Sequence, residues 1–334
     1  LNSLKNQNIL ITGAFGFIGK AVLRKIFLNA DRPNRVIGLD ILSESPDLIQ
    51  SLRDEIGEFP EYFEYKKMDV RSPEIENVLK NNHITSVVHL ASIMNPIGKM
   101  SRETQHDIDI GGTKNLLDAC LKAKTDYIIV TSSGAAYGYY KNNPEWIVET
   151  DEIRGNEEFA YSAHKREVEE LLSKYRDDSP HLKQLILRPG TILGKNVNNQ
   201  ITDLFKKSVI IGIAGSKTPF VFIEDEDVST IILQGLITKK DGIYNLAGDG
   251  AIPLREIAAR INKIYLPIPA IVIKSILWFL QKLHLTQYGP DQVNFLRYRP
   301  VLSNRNLKEK FGYVPKRSSS EVLDFYLENN LVSK

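Results

Sequence analysis

The chain has 334 residues, 42% hydrophobic and 25% charged, the make-up of an ordinary globular protein, which excludes disordered, fibrous and membrane-embedded classes. Forty-three basic against forty-one acidic residues leave almost no net charge, so no chain-wide attraction to nucleic acid or to an anionic membrane is expected. A single cysteine, Cys120, excludes an intramolecular disulfide, and the opening LNSLKNQN lacks the apolar core and cleavage site of an export signal, so a cytoplasmic setting is expected.

Short apolar runs then alternate with longer amphipathic segments. NILITG, IGKAVLRKIFLNA, RVIGLD, a polar stretch, FEYKKMDV, PEIENVLKNN and SVVHLAS read in the order β, α, β, α. A long helix from about Ser101 to Ala123 leads into DYIIVTSS, and another from about Phe159 to Tyr175 leads into LKQLILRPG. Such alternation requires a parallel sheet covered on both faces, so the expected fold class is α/β, a doubly wound Rossmann-type sheet. Residues 1–190, with a return near 221–247, are expected to form the main domain, and 191–220 with 248–330 a smaller, discontinuous C-terminal lid. In the apolar stretch 264–283, Pro267, Pro269 and Lys274 intervene before spanning length is reached. No membrane span is expected, and the stretch is read as a lid helix packed on the main domain rather than a membrane-surface helix.

The strand NILI runs directly into TGAFGFIG, which places Gly13, Gly16 and Gly19 across a tight turn into a helix. Glycines permit the turn and let backbone approach a pyrophosphate, while the helix N-terminus offers free N–H groups. RVIGLD ends in Asp40, 21 positions after Gly19, where an acid binds the adenosine ribose. A carboxylate there repels a 2′-phosphate, so the expected cofactor is NAD rather than NADP, and residues 1–190 become its binding domain.

YSAHK puts Tyr161 and Lys165 on one face of a helix. A free tyrosine has a pKa near ~10, and a neighbouring ammonium lowers it toward the range of a useful base. Such a tyrosine takes a proton from a substrate hydroxyl as hydride leaves the same carbon. Ser133, just past the strand YIIVT, is the expected hydroxyl donor, in preference to Ser132. The six histidines, His83, His89, His106, His164, His181 and His284, have no paired ligand spacing, so no metal site is expected. His164 is read as solvent-facing, His89 as a hydrogen-bonded structural residue, and Glu149 and Asp151 as part of a solvated acidic loop.

With these motifs the sequence resembles the extended short-chain dehydrogenase/reductase family over nearly its whole length, in the NAD-dependent epimerase/dehydratase branch that includes the UDP-glucose 4-epimerases. The resemblance implies cofactor contacts from Gly13, Phe15, Gly16, Phe17, Ile18 and Gly19 of TGAFGFIG. It adds Asp69 and Val70 of MDV, Leu90, Ala91 and Ser92 of HLAS, and Pro189 of LRPGTILG, beside Asp40, Tyr161 and Lys165. DIDIGGTKNLL matches a segment that usually carries Asn where this chain has Asp109.

The resemblance also separates reactions. Dehydratases usually follow the catalytic hydroxyl with an Asp-Glu pair and decarboxylating relatives with a nearby Glu, whereas Gly134 and Ala135 stand here. Epimerases of the UDP-galactose type need only Ser133, Tyr161 and Lys165, so a nucleotide-sugar epimerase is expected, with an NAD-dependent dehydrogenase or reductase of a nonsugar alcohol or carbonyl as the alternative. Thr191 stands where those epimerases commonly have a phosphate-binding Asn, and Phe220 and Val221 where they have an Arg. Candidate substrate residues are therefore Ser133, Thr191, Arg297 and Arg299, with Lys195 and Lys217 as further sources of charge. The expected partners are this small-molecule substrate and a second copy of the chain, paired through the two long helices as a homodimer.

Overall fold

The computed structural model describes residues 3–43, 45–94, 100–195, 197, 199–283, 285–286 and 289–330; His284 lies outside the described residues. β1 (Asn8–Thr12) is buried along almost its whole length, as a central parallel strand must be when helices cover both faces. It is followed by α1 (Phe17–Phe27), β2 (Arg35–Asp40), α2 (Pro46–Ile56), β3 (Phe63–Lys67), α3 (Ile75–Asn81) and β4 (Ser86–His89). Next come α4 (Arg102–His106), a π-helical turn at Asp107–Gly111, α5 (Gly112–Ala123), β5 (Tyr127–Thr131), α6 (Ala160–Asp178) and β6 (Lys183–Pro189). β7 (Thr191–Leu193), α7 (Gln200–Phe205), β8 (Val209–Ile213), β9 (Pro219–Phe220), β10 (Phe222–Glu224), α8 (Asp225–Thr238) and β11 (Gly242–Leu246) continue the chain. It ends with β12 (Ile252–Pro253), α9 (Leu254–Arg260), β13 (Ile264–Ile268), α10 (Ala270–Lys282), α11 (Gln292–Arg297) and α12 (Ser319–Asn330).

Seven strands form one sheet in the order β11-β6-β5-β4-β1-β2-β3, with β3 through β6 paired in parallel. This is the doubly wound Rossmann-type arrangement that the sequence predicts. Chain order reverses at β1, which has β2 on one side and β4 on the other, so the carboxyl ends of β1 and β4 flank the switch point where such sheets bind ligands.

The chain divides into two compact units. The first comprises Leu1–Ser133, His164–Arg188 and Asp225–Tyr244, and the second Gly134–Ala163, Pro189–Glu224 and Asn245–Lys334. In the first, Leu10, Ile37, Val87 and Ile128 pack on Leu79, Leu116 and Leu117 of α3 and α5. Ile9 and Ile11 alternate to the opposite face of the sheet, and α1 packs against α8. The second has a core in which Phe205, Phe220 and Phe222 meet Leu254 of α9 and Val322 and Leu323 of α12. Its short strands pair as β7 with β10, β8 with β13, and β9 with β12.

Two elements differ from expectation. The polar stretch after β2 contains α2, which buries Leu52 and Ile56, four residues apart, beneath an otherwise charged surface. The stretch 264–283 is not one packed lid helix: Pro269 separates β13, hydrogen-bonded to β8, from α10, and no residue of α10 is buried. Proline has no N–H to extend the strand ladder, and its fixed φ suits the start of a helix. Among the described residues no helix is long and apolar enough to cross a membrane.

Candidate active site

At the carboxyl end of β1, Gly13 adopts φ +65°, and a Cβ there would lie 2.8 Å from the backbone nitrogen of Ala91. A Cβ at Gly19 would lie 2.2 Å from the Gly13 carbonyl oxygen, so α1 approaches the loop as closely as only glycine permits. Gly16 caps α1 without a side-chain hydrogen bond, leaving the N–H groups of the first turn, Phe17, Ile18 and Gly19, without a side-chain cap. Asp40 Oδ2 accepts from the Phe15 N–H at 3.0 Å, tying the loop to the end of β2, while the Phe15 ring stacks on Tyr65 with centroids 4.3 Å apart. Leu90 and Ala91 donate their N–H groups to the Thr12 carbonyl and hydroxyl, so the switch-point loops are stitched together. Val70 is buried, and Asp69 is gripped by Arg71, whose hydrogen bonds hold its carboxyl below the usual range. These features fit a dinucleotide: close backbone, a helix N-terminus and a carboxylate at the end of the second strand.

α6 carries Tyr161 in its first turn and Lys165 one turn later. Lys165 is buried and donates to the Thr131 carbonyl at 3.0 Å; burial pushes its pKa down, against the opposing pull of Asp109 and Glu169. Ser133 follows β5 by two residues, and the neighbouring Ser132 is buried with its hydroxyl donated to Glu169. Glu169 in turn accepts from Arg188 Nε at 2.9 Å, a buried pair that secures β6 to α6. Pro189, the last residue of β6, is buried.

His164 is not solvent-facing. It is buried, and its Nδ1 lies 3.0 Å from Asp109 Oδ2, while Asp109 Oδ1 accepts from Ser92 Oγ at 3.0 Å and Ile93 N at 2.9 Å. Burial raises the Asp109 pKa, but these donors and the Lys165 charge outweigh it and hold the carboxyl below its ordinary value. His89 is the structural histidine expected, bonded to the hydroxyls of Thr12 at 2.7 Å and Thr113 at 2.9 Å. Burial first, and the Lys165 charge second, push its pKa down to about 4, so it is neutral. Glu149 is likewise structural rather than part of a solvated loop: it accepts from the Asn245 N–H at 2.8 Å and from the Asn306 side chain.

Within the second unit the Tyr161 ring lies 6.2 Å from Phe159, Phe159 lies 5.0 Å from Phe295, and the Arg299 guanidinium lies 5.2 Å from the Phe295 ring and 4.1 Å from Phe220. Arg299 Nη2 donates to Thr191 Oγ1 at 3.3 Å, whereas its Nη1 is sealed from solvent and has no hydrogen-bond partner among the described residues. Tyr139 packs on the same rings, with its pKa pushed up to about 12 by burial. Thr191, Arg299 and Tyr161 thus belong to one cluster, while the Arg297 guanidinium lies over its neighbour Tyr298.

The family model described as NAD-dependent epimerase/dehydratase matches residues 9–252, most of the chain. The chain belongs to the NAD-dependent epimerase/dehydratase family. An uncharacterized protein of Mycobacterium tuberculosis is 22% identical over 325 residues, covering 95% of this chain and 82% of that protein. The mouse 3 beta-hydroxysteroid dehydrogenase type 7 is 28% identical over 156 residues, 46% of this chain and 38% of that enzyme. UDP-glucose 4-epimerase of Thermotoga maritima, solved with UDP-glucose, shares the fold, with a TM-score of 0.72 at 20% identity over 97% of this chain and 98% of the other.

For this epimerase/dehydratase-family chain, sequence reading missed Glu169, Arg188 and Tyr139 and gave His164 no role. Glu169 lies one helical turn beyond Lys165, a spacing that signals a shared face, but its partner Arg188 comes from a strand and becomes visible only in the fold.

Proposed function

We propose that this chain is an NAD-dependent nucleotide-sugar epimerase of the UDP-glucose 4-epimerase kind. The observation that supports this reading is Arg299, whose Nη1, sealed and without a hydrogen-bond partner among the described residues, sits in the aromatic cluster that contains Tyr161. A desolvated guanidinium nitrogen with no acceptor among the described residues is unfavourable until a ligand supplies one, and a sugar nucleotide carries an anionic diphosphate. In this reading Tyr161 takes the proton of a sugar hydroxyl and later returns it. Lys165 favours the phenolate by its charge, and Ser133 donates to the same substrate oxygen. Ser132 is a weaker candidate because Glu169 already holds its hydroxyl. NAD, when bound, would supply the hydride acceptor and donor for the carbon that bears the hydroxyl. The backbone from Gly13 to Gly19 would hold its diphosphate and Asp40 its ribose, with Phe15, Asp69, Val70, Leu90, Ala91, Ser92 and Pro189 around it. The sugar carbon is oxidised to a ketone and reduced again on its other face, so no cofactor is consumed.

Dehydration is disfavoured by Gly134 and Ala135, which offer no carboxylate. A side chain at Gly134 would place its Cβ 2.9 Å from Leu302 Cδ1. The second reading, a dehydrogenase of a nonsugar alcohol, is favoured by the aromatic wall of Tyr139, Phe159 and Phe295 and by the half-chain match to a hydroxysteroid dehydrogenase. A homodimer paired through α5 and α6 completes the proposal.

The test is to identify by mass spectrometry what the purified protein releases on denaturation, then to supply UDP-glucose or UDP-galactose and follow both the sugar and NADH absorbance. Interconversion without accumulating NADH is expected, and NADH formed in proportion to an oxidised alcohol establishes the second reading. Tyr161→Phe is expected to slow turnover by roughly 10²- to 10⁴-fold while NAD is retained. Unchanged turnover in that variant would remove Tyr161 from the mechanism.

A further inference from the structure

Eleven of the nineteen exposed large hydrophobic side chains among the described residues lie in two stretches of the second unit: β8, and the run from β13 through α10 to Leu285. The β8–β13 register pairs Val209 with Ile264 and Ile211 with Leu266, so these four exposed side chains share one face, while Ile210 and Tyr265 turn to the core on the other. A ribbon with one face on a core normally presents polar residues on the other. Here both faces are apolar. On α10 and its C-cap, Val272, Ile276, Phe279 and Leu283 recur at helical spacing and form a second exposed apolar stripe. Patches of this extent mark interaction surfaces on soluble folds.

The charge of the segment favours one occupant. From Asn262 to Pro290 there is no Asp or Glu, but there are Lys263, Lys274 and Lys282. The Lys282 ammonium stands 4.2 Å from the ring centroid of the exposed Trp278, pairing a cation with an amphipathic aromatic on the same helix. α10 is 13 residues long, too short to span a bilayer but long enough to lie in its interface.

We infer that β8, β13 and α10 form a docking face for a bilayer surface that bears anionic headgroups. The aliphatic and aromatic side chains enter the boundary between headgroups and acyl chains, and the lysines meet the lipid phosphates. A second copy of the chain fits less well, because two-fold pairing of the same patch sets lysines against lysines with no carboxylate in the segment to neutralise them. Since the whole chain carries a net charge of only +2, the attraction is a property of this face and not of the molecule.

Co-sedimentation of the full chain with phosphatidylcholine vesicles, with and without phosphatidylglycerol, tests the assignment. Binding to the anionic vesicles is expected at low salt, falling on the order of tenfold with phosphatidylcholine alone or at high salt. In a Trp146→Phe background, the fluorescence of Trp278 is expected to shift to shorter wavelength when vesicles are added. The double substitution Ile271→Ser with Phe279→Ser is expected to lower the bound fraction on the order of tenfold, with circular dichroism and melting unchanged because neither side chain is buried. A wild-type chain that stays in the supernatant with both vesicles, or a double variant that sediments as well as wild type, overturns the inference. A concentration-dependent dimer that this double variant abolishes, in a chain that ignores vesicles, assigns the face to a second copy and overturns it equally.

Discussion

Arg299, half-buried with its Nη1 sealed from solvent, and His89, buried outright, resolve the cost of desolvation in opposite ways. Arginine cannot shed its proton in a protein, so the Arg299 charge persists, softened by the Phe220 and Phe295 rings and one bond to Thr191. Arg299→Met keeps the apolar stem and removes the charge. It is expected to leave the melting temperature of the ligand-free protein unchanged or a few degrees higher, and to raise KM for a UDP-sugar on the order of 100-fold; melting curves and initial-rate kinetics check the two halves separately. His89 instead remains neutral, its pKa pushed to about 4 from an ordinary 6.5. The unfolded chain therefore binds the extra proton between these values. Stability from this residue is complete above pH 6.5 and is lost as pH falls toward 4, by roughly 3 kcal/mol in all. Urea unfolding at neutral and mildly acid pH is expected to show a smaller acid loss in His89→Gln than in wild type.

At the scale of the element, the glycine loop is the part most openly written in the sequence, because its demand is local. Gly19→Ala places a methyl group 2.2 Å from a carbonyl oxygen that belongs to backbone and cannot rotate away. Loss of copurified NAD is expected, with destabilisation of about 2 kcal/mol or more, read by cofactor content and denaturant unfolding. Helix periodicity predicts one helix from about Ser101 to Ala123, and the chain is helical from Arg102 to Ala123, but the π-turn at Asp107–Gly111 leaves no mark on the apolar spacing. That turn contains Asp109, buried against His164, 55 residues away in sequence. A polar residue on a charged helix reads as exposed unless its partner is known, and the partner of His164 comes from a distant segment. α10 shows the reverse case: its apolar composition suggests packing, yet none of its residues is buried.

At the scale of the whole molecule, the glycine loop and Asp40, proposed to hold NAD, fall within the first unit and the Arg299 cluster within the second. Cofactor retention and substrate recognition are therefore expected to separate under mutation. Asp40→Ala removes the acceptor for the Phe15 N–H and is expected to lower the NAD carried per chain, while Arg299→Met leaves it unchanged, as cofactor analysis of denatured samples will show.

Sequence by itself determined the alternation of strands and helices, the glycine turn between β1 and α1 with Asp40 at the end of β2, and the placing of Tyr161 and Lys165 on one helix. Each follows from residues within a turn or two of one another, or from a strand–loop–helix unit whose steric needs are local. Tertiary structure alone decided the strand order that sets β1 beside β4, the burial of Asp109 with His164, the Ser132–Glu169–Arg188 linkage and the isolation of Arg299 among aromatic rings. Those features depend on which distant segments meet, and the free energy of a buried charge is set by the partners that the fold brings to it.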